Sequence, residues 1–323
     1  MILLTISLLA SIQCGSSGTG EAPEAPAPPP SVGHALVFHD SLQAVLLVNA
    51  GLGGMTPPPV TAPTVLWRWN GTAWTIVDSM GPPVRNLAGV AYDPKRNVLV
   101  VYGGSYDLPH MYGETWEWHQ NGGWQQRNVA GPGNRDHTDM AWDAGREKIV
   151  LFGGQIGIDS FPGDTWTWDG QSWEQVATTG PSGRVHHTMA YDPLAGQVLV
   201  FGGYAPATGD KGDTWSWSGS SWSVAAPAIT PRTHARMGRT TQGMIILGGT
   251  PVQAPGSVLL LQNGSWQPAN QPNAPSARYL TAIAFDPARN VTVLFGGGDP
   301  GSDQLYADTW EYSTGSGWRR VSG

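Results

Sequence analysis

Residues 184–217 read RVHHTMAYDPLAGQVLVFGGYAPATGDKGDTWSW, and this stretch decides the fold. It runs from Arg184 to Tyr191 as a first strand, strand A. Asp192-Pro193 then reverses the chain, because proline fixes φ and an aspartate side chain bonds the turn backbone. The apolar run Gln197–Phe201 is strand B and closes on Gly202-Gly203. Asp213-Thr214-Trp215-Ser216-Trp217 alternates with period 2 and reads as strand C. Trp222 opens strand D.

The same phrase recurs on both sides. Glycine pairs stand at 103–104, 153–154, 202–203, 248–249 and 296–297, with Ala50-Gly51 as an earlier, diverged copy. Ten residues ahead of four of the pairs are Asp93, Asp143, Asp192 and Asp286, and Asp40 takes that place in repeat one. Acid-Thr-Trp steps follow at Glu114–Trp116, Asp164–Trp166, Asp213–Trp215 and Asp308–Trp310, each trailed by a second tryptophan at 124, 173, 222 and 318. Trp67/Trp74 and Leu259/Trp266 complete the set in the degenerate copies. Asn70-Gly71, Asp169-Gly170 and Asn263-Gly264 are hairpin turns between strands C and D.

A four-stranded sheet of this size cannot cover both of its apolar faces. Six of them stacked around an axis bury each face against the next blade. The expected fold is all-β: a six-bladed β-propeller with four antiparallel strands per blade. Its repeats fall at about 32–80, 81–131, 132–180, 181–229, 230–273 and 274–322. Repeat one opens with its own strand A and repeat six ends with its own strand D, so the ring is expected to close by packing, without an exchanged strand.

Composition excludes the alternatives. Glycine (44) and proline (27) make up about a fifth of 323 residues, which opposes a helical bundle. Sixteen tryptophans, nine tyrosines and six phenylalanines oppose disorder. The net charge of −7 and only three lysines leave no basic stripe, so no nucleic-acid partner is expected. The single cysteine, Cys14, allows neither an internal disulfide nor a thiolate metal cage.

The glycine pair after an apolar strand, the aromatic step and the later tryptophan, at about fifty residues, resemble kelch repeats over 32–322. The resemblance implies a kelch-type propeller. Some kelch propellers are copper-radical oxidases, but that chemistry needs a Tyr–Cys crosslink that Cys14 is not placed to supply. No cofactor and no metal site are expected.

Residues 1–13 resemble a bacterial lipoprotein signal: the uncharged run ILLTISLLASI at 2–12 is followed by Cys14, the lipidation candidate. Residues 14–31 then form a Gly/Ser/Pro-rich tether. An exported monomer is expected: an outer-membrane or cell-envelope lipoprotein that meets the membrane only through its N-terminal lipid or, if the segment is an ordinary secretory signal cut nearby, a periplasmic or extracellular protein.

Arg85, Arg135, Arg184 and Arg278 each precede their glycine pair by 18 residues, and Arg232 precedes its pair by 16. Val32 stands at the corresponding place in repeat one. Two residues on come His34, His137, His186 and His234, with Leu87 and Leu280 in the other copies. Strand alternation puts these Arg and His side chains on one side, ringing one mouth of the channel. The resemblance adds that arginines at matching places bind acidic peptides in some kelch proteins. Regular recurrence favours a scaffold role for them, because binding sites usually break symmetry, whereas Arg236, His187 and Asp139 break the pattern and suit specific contacts. The B–C loops offer aromatic tips at Tyr106, Tyr112, Phe161 and Tyr204. The expected function is a protein- or glycan-binding module at the channel mouth or these loops. A kelch-type, carbohydrate-modifying isomerase or lyase with an Arg/His-lined channel is the alternative.

Overall fold

A computed structural model describes residues 27–48, 58–107, 110–251, 257–271 and 273–323. Cys14, the signal and the Ala50-Gly51 copy lie outside them. The described chain forms six four-stranded antiparallel sheets, each ordered A-B-C-D without crossover, plus one two-stranded hairpin in the fourth B–C loop. The A strands are Ala35–His39, Gly89–Asp93, Asp139–Asp143, Thr188–Asp192, Arg236–Thr240 and Ala282–Asp286. Each touches the next, and the first touches the last, so they encircle an axis.

The core is six seams. Every apolar cluster joins two neighbouring blades, and the B strands contribute the most deeply buried residues. The strand-D tryptophan of one blade reaches back to the strand-C threonine of the blade before it. Trp173 Nε1 donates to Thr115 Oγ1 at 2.8 Å, Trp222 to Thr165 at 2.8 Å and Trp266 to Thr214 at 2.8 Å. Trp74 donates to Thr309 at 2.9 Å, which carries the same bond across the join between blades six and one. Blade one thus closes on blade six by packing and side-chain bonds, each blade keeping its own four strands.

The glycine pairs are required by two constraints at once. Gly203 sits at φ +93°, and a Cβ there would lie 2.6 Å from the Val185 carbonyl oxygen. Its partner's amide, on Gly202, bonds the Asp213 carbonyl, and Gly203 N bonds Arg232 O at 2.9 Å in the next blade.

Two details differ from the sequence reading. Strand A does not begin at the arginine. Leu87, His137, His186, His234 and Leu280 all have φ between 49° and 57°, a left-handed kink that ends the arginine segment before strand A starts. Blade one is also shifted by one residue. Pairing of His39 with Ala44 matches that of Asp93 with Val98, so His39, not Asp40, holds the turn aspartate's place. Gly297 N bonds Ser31 O as Gly249 N bonds Arg278 O, so Ser31, not Val32, occupies the arginine position. Gly33, at φ 67°, is then the kink, and His34 falls one place beyond it.

Candidate functional site

Strand B ends where strand A begins, so the arginine segments, glycine pairs and B–C loops share one face of the ring. The bridges Asn86–Ser105, Asp136–Gln155, Val185–Tyr204, Thr233–Thr250 and Tyr279–Gly298 tie them together there. The A–B and C–D turns occupy the opposite face. The two ends of the channel differ in kind.

At the glycine-pair end the arginines are enclosed in the blades. Arg85, Arg135, Arg184, Arg232 and Arg278 are all buried. Arg135, Arg184 and Arg278 Nη1 each donate to the first glycine's carbonyl at 2.9–3.0 Å and fork onto Asp164, Asp213 and Asp308 of the strand-C step. Arg85 makes the same carbonyl bond and reaches Glu114 at 3.3 Å, with Tyr112 stacked 4.1 Å from its guanidinium. The fork suits a carboxylate because it offers parallel donors. Here that carboxylate is supplied by the blade itself. Burial raises the Asp213 and Asp308 carboxyls, but their arginines outweigh it and hold both below the usual range. Burial lowers Arg232 to about 10 and also lowers Arg85.

The kink residues close the axis at this end. Leu87 N bonds Gly33 O at 3.0 Å, Gly33 N bonds Leu280 O at 3.2 Å, Leu280 N bonds His234 O at 3.1 Å and His234 N bonds His186 O at 3.0 Å. The rings of His137 and His186 lie 4.4 Å apart, and those of His186 and His234 lie 3.8 Å apart. Only about 20 Å³ of free space remains among them. Burial, then the neighbouring histidines, lowers His186 to about 2. Burial foremost lowers His234 to about 4. His187 also lines this space but lies outside the stack of three histidine rings. It packs edge-on against Phe152 of the preceding blade, and burial lowers it to about 3. His34 does the same on Phe295 across the closure and is lowered to about 4. Among the described residues no group of three or more His, Cys, Asp or Glu is placed to hold a metal ion.

The loop aromatics separate. Tyr106 donates its hydroxyl to Pro58 O at 2.9 Å, and Tyr112 is held under Arg85. Phe161 and Tyr204 meet at 6.3 Å on an apolar rim that also exposes Ile156 and Ile158.

The turn end is open. A well of about 370 Å³ descends between the A strands. Its mouth carries Phe38, Tyr92, Trp142, Tyr191 and Phe285, with Arg239 at the same place in blade five. The Arg239 guanidinium lies 4.8 Å over the Phe285 ring. Tyr92 donates to Asn97 Oδ1 at 2.7 Å, and burial raises its hydroxyl to about 12. The walls are small or apolar, including Ala91, Ala141, Ala190, Gly238 and Ala284.

The floor is polar. Arg236, which lines both the well and the histidine plug, donates to Thr281 O at 2.9 Å and to Asp139 Oδ2 at 3.3 Å. Asp139 also accepts from Met140 N and Met189 N, each at 2.9 Å. Burial raises its carboxyl, with Arg236 working the other way. Two of the three pattern-breaking residues of the sequence, Arg236 and Asp139, therefore meet. The aromatic collar was missed, although an aromatic before the turn residue recurs in five of the six repeats. The well thus combines an aromatic mouth, an exposed cation (Arg239), an exposed carboxylate (Asp40) and a polar floor in one concavity.

No protein-family model matches the chain, and no curated protein matches it. Among solved structures it is similar to the one titled "Structure of YjhT", at 14% identity and a TM-score of 0.66, over 92% of this chain and 99% of that one. That similarity shows the fold that the blades display: a six-bladed β-propeller.

Proposed function

We propose that the chain is an exported, lipid-anchored, kelch-type propeller that binds a glycan in the open mouth of its channel at the cell envelope. The observation that carries the reading is the well: five aromatic rings and Arg239 around a 370 Å³ cavity whose far end is plugged. Aromatic faces stack on the C–H faces of sugar rings, and the Arg236–Asp139 floor offers both a donor and an acceptor for hydroxyls. A blind well of this width admits a sugar or a chain end, whereas a protein surface would stop at the rim. Export and anchoring rest on the apolar run at 2–12, Cys14 and the tether after it.

A glycan array probed with wild type, Trp142→Ala and Tyr191→Ala tests the binding role. Retention of a defined glycan set by wild type, weakened in both variants, is expected. Binding that survives both substitutions, or capture of no glycan, contradicts the reading. Loss of fatty-acid labelling in Cys14→Ser tests the anchor.

A second reading has its own observation. Asp139, a carboxyl raised by burial beside an arginine at the base of a concave site, fits an acid/base group of a carbohydrate-modifying enzyme. Under that reading Asp139→Asn abolishes turnover of a bound sugar. Under the binding reading no turnover is seen with either protein.

A further inference from the structure

Away from the axis, on the turn face, each A–B turn arginine lies under the C–D turn glycine of the next blade. Arg96 packs on Gly170, Arg146 on Gly219 and Arg289 on Gly71. In blades two and six a buried glutamate completes the site. Glu117 Oε1 accepts from Arg96 Nη1 at 2.7 Å and from the indole of Trp168, in the next blade, at 3.2 Å. Glu311 Oε1 accepts from Arg289 and from the indole of Trp69, in the next blade, at 2.9 Å. A second arginine stands near the other oxygen in each, Arg127 at 3.6 Å and Arg319 at 3.4 Å.

Blade three lacks that carboxylate. Thr167 pairs with Val150 as Glu117 pairs with Val100 and Glu311 with Val293, so the register places a threonine where the glutamate belongs. The rest of the apparatus remains: Asp143 bonded to Arg146 at 2.9 Å, Gly219 over the arginine, and Trp217 from the next blade. A cavity of about 240 Å³ opens between them. The Thr167 hydroxyl is buried beside it with no hydrogen-bond partner, an arrangement that folded proteins rarely leave unfilled.

In blades two and six, two carboxylates face two arginines. In blade three Asp143 pairs with Arg146, and Lys148 lies 3.5 Å from the solvent-exposed Glu174 and within electrostatic reach of Asp169, so no buried carboxylate stands at the glutamate's place. Val150 and Val176 supply an apolar wall.

We propose that this inter-blade cavity binds a small monocarboxylate. The carboxylate takes the place of the missing glutamate, accepting from Arg146, Lys148, Thr167 and the Trp217 indole, with a short alkyl tail against the valines. The site is independent of the axial well, some of whose walls come from the same blades but none of whose mouth residues line it.

Acetate and propionate are the probes. The full chain is titrated at pH 7 and constant ionic strength, with chloride as the control anion, and followed by ligand-observed NMR and thermal unfolding. Wild type is expected to bind acetate or propionate and to melt higher than in chloride. Thr167→Glu supplies the carboxylate internally, so it is expected to melt higher than wild type and to lose the response. Thr167→Val keeps the fold and removes one hydrogen bond of about 1 kcal/mol, so it is expected to weaken affinity about fivefold. No response of wild type beyond that to chloride overturns the proposal, as does a Thr167→Val affinity equal to wild type.

Discussion

Asp139 of blade three and Arg236 of blade five meet at 3.3 Å across the axis, with blade four lying between them in the ring. The pair links blades that share no sheet, and the Arg236 bond to Thr281 O extends the link to blade six. It separates the histidine plug above from the aromatic well below. Both side chains are about four-fifths buried.

Breaking this pair is predicted to cost about 2 kcal/mol, the worth of a charge-assisted bond in a partly enclosed site. Asp139→Asn should lower the urea midpoint, and Arg236→Gln should do so by a similar amount. The double variant should lose less than the sum, because either single variant already removes the ion pair. Strict additivity would contradict the coupling.

The inter-blade tryptophan bonds make a second prediction. Trp124 and Trp318 have buried indole N–H groups with no acceptor, and the residues at the strand-C threonine place in the blades before them are Leu66 and Val258. Val258→Thr is predicted to give Trp318 an acceptor and to raise stability by about 1 kcal/mol. Thr115→Val, which removes the acceptor of Trp173, should lower it by about as much. Chemical denaturation of both variants checks the signs.

Gly203→Ala is predicted to cost more than about 2 kcal/mol, because the left-handed backbone and the approach of Val185 O at 2.6 Å act together. Gly133, also at positive φ but with nothing near its missing Cβ, is the control. Gly133→Ala should cost only the backbone part. Equal losses at both sites would remove close approach as the reason for the glycine pair.

Buried neutral histidines set the pH response. His34, His39 and His234 are lowered from 6.5 to about 4, His187 to about 3 and His186 to about 2, in every case foremost by burial. The unfolded chain binds protons at these residues before the folded chain does. Their contribution is therefore intact above 6.5 and is lost as pH falls toward 4. The urea midpoint should fall across that window, ahead of the loss from protonating Asp213 and Asp308, whose lowered carboxyls act further down. Imidazole NMR signals of His34 and His187 should stay in their neutral positions at pH 5. A flat midpoint between 6.5 and 4 contradicts this.

The ring of blades was legible because its determinants are local and repeated: Gly202-Gly203, Asp192-Pro193 and the strand-C step each specify one turn or one strand. Blade one was misread by a residue because no glycine pair directly closes its strand B to anchor the count. Only the pairing of His39 with Ala44 sets its register. His39 Nδ1 lies 3.4 Å from the Leu42 amide, where an aspartate oxygen stands in sister turns, an equivalence that residue type does not announce. The arginine ring was legible as a recurrence but not as an enclosure. Alternation holds only inside a continuous strand, and the left-handed residue at 87, 137, 186, 234 and 280 interrupts it. The aromatic collar was visible in Tyr92, Trp142 and Tyr191, yet which end of the channel stays open depends on the kinks meeting at the axis.

The most direct test is a calorimetric titration of the preferred array glycan into wild type, Tyr191→Ala and Tyr204→Ala. Tyr191 stands at the mouth of the well, and Tyr204 stands on the B–C loop rim of the opposite face. Loss of affinity in Tyr191→Ala with Tyr204→Ala unchanged is the predicted result. Loss in Tyr204→Ala alone would put the ligand on the loop face and contradict a site in the axial well.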